Sequence, residues 1–240
     1  MASQFLRRSG VAVGLICERL GWKPDEIYQV GIGQHHEEVD VLHQEWPDAK
    51  WVGFEPHPDI VKSLTDYPGS VVEVALNNFV GKDTLQFKRN HKDGSSLFEH
   101  RNQENVDKVE VKVSTLDTLY HALSNEPKKR MLWLDCEGSE LRVLQGGSQS
   151  FIDWIDVINV EMTSNPAGEG WGASEDVHKL LEGAGFWLQW IHTNRSVVGQ
   201  CDCVYVRSGL FNPKYCCVPH EKIRWNDKLV RALNKENPIE

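Results

Sequence analysis

Four carboxylates and one glycine turn stand where they can serve a single ligand. Gly31-Ile32-Gly33 follows a β-rich run and precedes a segment of helical period. Glycines there let the backbone turn sharply and approach a ligand without a Cβ clash. Glu55 follows Gly33 by 22 residues, at the end of the next β-rich run. An acid at that distance can accept both hydroxyls of a ribose. Asp135 and Glu137 lie just past the apolar run Met131–Leu134. A carboxylate there can hold a cofactor ammonium, bind a divalent ion or take a proton from a hydroxyl. Glu161 ends the following apolar run and can converge on the same mouth. Three such acids are costly to ionise together, which points to a metal, a basic ligand or one protonated member. A third glycine of a dinucleotide fingerprint would fall at His36, which argues against a nicotinamide cofactor.

These residues need elements that bring them to one edge. Short β-rich runs alternate with helix-period segments, as in an α/β sheet with crossover helices. Strands are expected at Ile27–Ile32, Lys50–Phe54, Val71–Leu76, Met131–Leu134, Ile155–Val160, Trp187–Ile191 and Cys203–Val206. Helices are expected over His36–Trp46, from Pro58, from an N-cap at Thr115, over Glu140–Gln145 and from an N-cap at Ser174. Thr84–Lys88 and Val109–Val113 alternate with period two around the polar stretch Asn90–Asp107, which predicts an inserted antiparallel hairpin with a loop. In such a sheet ligands bind beyond the carboxyl ends of the strands. Asn77 joins the acids there.

Composition narrows the classes. The chain has 240 residues, 40% hydrophobic and 25% charged, in a soluble globular balance. A net charge of −9 disfavours bulk binding to nucleic acid or to acidic membrane. No apolar stretch is long enough to span a bilayer. The apolar run after Arg7-Arg8 is broken by Gly14 and ends at Glu18, so it reads as an amphipathic first helix rather than a leader. Six cysteines are few for this length and predict reduced thiols in a cytoplasmic protein. The expected layout is an N-terminal helical segment over 1–26, one domain over 27–211 and a tail over 212–240, with a possible surface helix from Glu221.

The motif order resembles a family. Phe54-Glu55-Pro56, Thr115-Leu116-Asp117, Asp135-x-Glu137-Gly138-x-Glu140, Val143-Leu144-x-Gly146 and Ser95-Ser96-Leu97 resemble elements of the FkbM-type methyltransferases. The resemblance runs from about Ile27 to about Phe211. It implies a three-layer, Rossmann-like class I sheet, mostly parallel, with an antiparallel last strand and the inserted hairpin. It implies S-adenosylmethionine as cofactor and methyl transfer to a hydroxyl of a small-molecule or carbohydrate acceptor. Gly31, Gly33 and Gln34 would then hold the methionine portion, Glu55 and Pro56 the ribose, and Ala75, Leu76 and Asn77 the adenine. Ser96 would line the cofactor site, Asp135 the sulfonium end, and Glu137 and Glu161 the acceptor. A divalent metal is compatible with the acids. The first motif departs from the family's pattern: Gln29 replaces the usual acid and His35 the usual last glycine. Glu37 and Asp135 are candidates to compensate for the acid. Two alternatives stay open, a methyltransferase fold reduced to a binding module and an oxidoreductase using the same glycine turn.

Other features carry weaker expectations. Trp51, Trp133, Trp187 and Trp190 fall on strands and read as core, whereas Trp171 follows Glu161 in a loop and can close over an acceptor by stacking. Arg89, His91, Lys92, His100 and Arg101 cluster around the insert and can meet an acceptor. Cys201, Cys203, Cys216, Cys217 and His220 are a candidate zinc set, weighed against free thiols.

Overall fold

Two of the central strands present no wet face. In the computed structural model, which describes residues 2–34, 37–89, 91–99, 104–122, 128–163, 172–193 and 200–216, β1 (Glu26–Val30) and β8 (Arg130–Leu134) are buried at every position. Such strands require helices on both sides. They pair in parallel with each other, and with β2 (Lys50–Phe54) and β9 (Val157–Thr163). β3 (Ser70–Val72) extends one edge. At the other edge β11 (Gln200–Arg207) runs antiparallel to both β9 and β10 (Phe186–Thr193). The order is β3-β2-β1-β8-β9-β11-β10.

The helices divide between the two faces. On one face, α4 (Leu116–Ala122), α5 (Glu140–Gln145), α6 (Gln149–Trp154) and α7 (Ser174–Gly183) bury Leu116, Val143, Leu144, Phe151, Val177 and Leu181. On the other, α1 (Ala2–Arg19), α2 (Glu37–Glu45) and α3 (Pro58–Ser63) bury Val13, Ile16, Val39, Leu42 and Ile60. The expected three-layer, mostly parallel architecture is therefore present.

The insertion is larger than a hairpin. β5 (Gly81–Lys88) and β7 (Val106–Ser114) pair antiparallel as expected, but β4 (Ala75–Leu76) and β6 (His91–Ser96) complete a separate four-stranded sheet, β4-β7-β5-β6. The expected strand Val71–Leu76 is thus split. Val74 N–H donates back to Val72 O at 3.0 Å, and the chain leaves the main sheet for the second one. β6 lies inside the stretch expected as a loop; its residues His-Lys-Asp-Gly-Ser-Ser carry no apolar alternation that would mark a strand in the sequence.

Smaller differences have local causes. Ile155 closes α6 rather than opening a strand; Ser148 caps that helix by accepting Phe151 N–H. Ser174 is the first helical residue of α7, not its cap, and its Oγ donates to Thr163 O at 2.7 Å. Trp187 is 42% exposed and stacks on Phe211 at 5.1 Å instead of entering the core. The tail helix expected from Glu221 lies outside the described residues.

Candidate active site

The glycine turn forms where β1 meets β8. Gly31 has φ +79°, and a Cβ there would lie 1.8 Å from Asp135 O. Only glycine lets the turn press this closely on the β8 end. Asp135 N–H donates to Val30 O, so turn and acid are tied through the backbone.

Glu55 braces the same turn from β2. It is 4% exposed; Oε2 accepts the N–H groups of Gly33 at 3.0 Å and Ile32 at 3.3 Å, and Oε1 accepts His57 N–H at 2.8 Å. A carboxylate offers about four acceptor directions, so it can organise a loop and still face a ligand. Pro56 leads into α3, where His57 Nδ1 accepts Asp59 N–H at 3.2 Å.

The Asp135–Glu140 turn is wound around its last acid. Glu140 Oε1 accepts Cys136 N–H at 3.0 Å and Gly138 N–H at 3.2 Å. Burial pushes this carboxyl up despite those bonds. Glu137 sits at φ +50°, uncommon for a residue with a Cβ. Its carbonyl accepts Ser96 Oγ at 2.7 Å, and Phe98 N–H donates to the same Oγ at 3.1 Å. Ser96 therefore reaches the site as a clamp from the inserted sheet. The family resemblance gave Glu140 and Ser96 as motif members but not these turn-holding roles.

Glu161 completes the acidic edge, with Asp202 opposite it in register. Burial pushes the Glu161 carboxyl well above the usual range, and Asp135, Glu137, Asp202 and Glu140 push it further in the same direction. Burial and the neighbouring acids Glu140 and Asp135 also raise the Cys136 thiol, which removes it as a thiolate nucleophile. Among the described residues no three His, Cys, Asp or Glu side chains are grouped to hold a metal ion.

The third-strand residues lie differently from expectation. Ala75 and Leu76 belong to the inserted sheet and are buried, at 5% and 3% exposure. Asn77 is fully buried; its Oδ1 accepts Asn78 N–H at 2.7 Å, and its carbonyl lies where a Cβ at Gly146 would come within 2.1 Å. Asn77 Nδ2 and His57 Nε2 are buried with no hydrogen-bond partner among the described residues.

Other expectations resolve as structure. Arg89 pairs with Asp107 within the insert, and Lys92 pairs with Asp59 of α3, tying the insert to the main domain. Cys201 and Cys203 are buried 3.7 Å apart, sulfur to sulfur, and Cys216 donates to Leu188 O. Neither thiol of the β11 pair is in a disulfide. His35, His100, Arg101, Trp171, Cys217 and His220 lie outside the described residues, as do the side chains of Glu37 and His91. No described helix is long and apolar enough to cross a membrane.

Comparison places this geometry. No curated protein matches the chain in sequence. Among solved structures it is similar to the plantazolicin methyltransferase BamL in complex with a triazolic desmethyl analogue and S-adenosylhomocysteine, at 7% identity and a TM-score of 0.50, over 86% of this chain and 85% of that one. It is also similar to magnesium protoporphyrin IX methyltransferase of Synechocystis PCC 6803, at 8% identity and a TM-score of 0.47, over 86% and 83%. The methyltransferase FkbM domain model matches residues 29–192, which span the glycine turn, Glu55, the Asp135–Glu140 turn and Glu161. With most of its length matched and the class I strand order in place, the chain belongs to the FkbM-type methyltransferases.

Proposed function

We propose that the protein transfers the methyl group of S-adenosylmethionine to a hydroxyl oxygen of a small-molecule or sugar-like acceptor. The observation that carries this reading is the Gly31 turn pressed against Asp135 O at the end of β8, with Glu55 bracing that turn from β2. The residues present suit the cofactor. A cationic sulfonium fits a carboxylate-rich edge, and the buried donors Asn77 Nδ2 and His57 Nε2 still need acceptors, which an adenosine offers.

Gly31, Gly33 and Gln34 would hold the methionine portion, Glu55 and Pro56 the ribose, and Ala75, Leu76 and Asn77 the adenine side, with Asp135 toward the sulfur and Ser96 clamping the turn beside it. When bound, the cofactor supplies an electrophilic methyl on a cationic sulfur. The protein's own task is then to align an acceptor oxygen and take its proton. Glu161 would act as the base in its ionised form, with burial first and then Asp135 and Glu137 raising its proton affinity above that of an ordinary carboxylate.

The test is calorimetry with S-adenosylmethionine, S-adenosylhomocysteine and NAD, followed by methyl-transfer assays on a panel of polyols and hydroxylated small molecules. Micromolar or tighter binding of both sulfur compounds, weakened at least about tenfold by Glu55→Ala, together with methylation of a hydroxyl, is the expected result. Binding of NAD alone overturns the reading. Methylation at nitrogen or carbon overturns its oxygen part.

A further inference from the structure

Behind the glycine turn lies a buried polar relay. Gln29 is 1% exposed, and its neighbours dictate how its amide faces. A carboxylate only accepts, so Nε2 donates to Glu38 Oε1 at 3.3 Å; the phenol of Tyr67 then donates to Gln29 Oε1 at 3.1 Å. The same Nε2 reaches Gly31 O at 3.5 Å. Glu38 therefore connects to the turn through one side chain.

The surroundings hold Glu38 in place. It lies in the first turn of α2 and is 3% exposed. Helix α1 packs directly on its backbone, where a Cβ at Gly10 would lie 2.9 Å from Glu38 O. Gly53 leaves the space for Tyr67; a Cβ there would lie 2.8 Å from the hydroxyl. The carboxylate's field is felt locally, since the Tyr67 hydroxyl is pushed up by burial first and by Glu38 second. In a low-dielectric interior such a charge acts well beyond contact distance.

Resting on the proposed function, we infer that Glu38 is a positioning residue for the methionine end of S-adenosylmethionine, acting through Gln29 and the Gly31 turn. That end carries an ammonium and a sulfonium. A carboxylate buried beneath the turn favours both without touching either. The acid absent from position 29 is in this way supplied from α2, by neither of the two residues that the sequence offered.

The experiment titrates wild type, Glu38→Gln and the double variant Glu38→Gln with Gln29→Glu against two probes. S-adenosylmethionine carries both positive charges; 5′-methylthioadenosine keeps the adenosine end and has neither. The E38Q change should weaken S-adenosylmethionine about tenfold and 5′-methylthioadenosine by less than about twofold. The double variant, which returns a carboxylate to the same pocket, should recover most of that loss. Glu38→Asp, which keeps the charge, should keep the ratio of the two affinities even where both fall. Equal loss of the two probes in E38Q, no loss, or a ratio that collapses in E38D overturns the inference alone. A wild type that binds neither probe overturns the methyl-transfer reading and this inference with it.

Discussion

The two ends of the central strands treat their acids in opposite ways. At the amino ends of β1 and β8, Glu26 is 4% exposed and meets Arg130 Nε at 2.9 Å, Lys128 Nζ at 2.8 Å and the Tyr28 hydroxyl at 2.8 Å. The Arg130 guanidinium also stacks 3.5 Å from the Trp154 ring centre. Burial alone would raise Glu26; hydrogen bonds from Lys128, Tyr28 and Arg130 outweigh it and hold the carboxyl below the usual range. At the carboxyl ends of β8 and β9, burial raises Glu161 and every neighbouring acid raises it further. One end spends its charges on holding strands together; the other keeps an electrostatic cost that a cationic ligand would relieve. That asymmetry supports the proposed site at the carboxyl edge.

The largest break of this comparison is Arg130→Met. It leaves Glu26 buried without its guanidinium and should lower stability by about 3–5 kcal/mol, measured by urea unfolding. The sign with pH follows from the lowered Glu26 value: its stabilisation is present above the unfolded carboxylate pKa and fades as pH falls. The gap between wild type and R130M should therefore narrow in acid.

Glu161→Gln tests the opposite end. Turnover should fall about a hundredfold or more, as for loss of a general base. The fold should gain. A carboxyl whose folded pKa is raised costs stability once pH exceeds its unfolded value, so E161Q should melt about 3 °C higher than wild type at pH 8. The difference should vanish below about pH 3, where both states are protonated. A melting point lowered by E161Q at pH 8 would show that the acidic edge is compensated like the other end.

Ser96→Ala probes the clamp between them. It strands the Glu137 carbonyl and the Phe98 N–H and should cost about 1–3 kcal/mol in chemical unfolding. The smallest effect is expected for Lys92→Ala. Its partner Asp59 is solvent-exposed, so the melting point should stay within about 1 °C of wild type.

Much of this was legible in the residues. Lys50–Phe54 and Glu140–Gln145 form with the expected bounds because their patterns are unambiguous and local. The glycine turn, Glu55 and the acids at strand ends could be located because each follows an apolar run at fixed spacing. The split at Val74 could not, since both halves are apolar and only competition between two sheets separates them. Nor could β6, whose residues carry no apolar period.

Composition, period and motif order by themselves determined an α/β sheet with its acids at one edge, because burial of apolar runs and the turn preferences of glycine act over a few residues. Only the tertiary structure decided what each acid does. Glu140 winds a turn, Glu55 braces a loop, Glu26 is neutralised by residues more than a hundred positions away, and Glu38 stands behind Gln29. The physical reason is that a carboxylate's behaviour is set by dielectric and by neighbouring charges. Both belong to the packed interior, where residues distant in sequence meet.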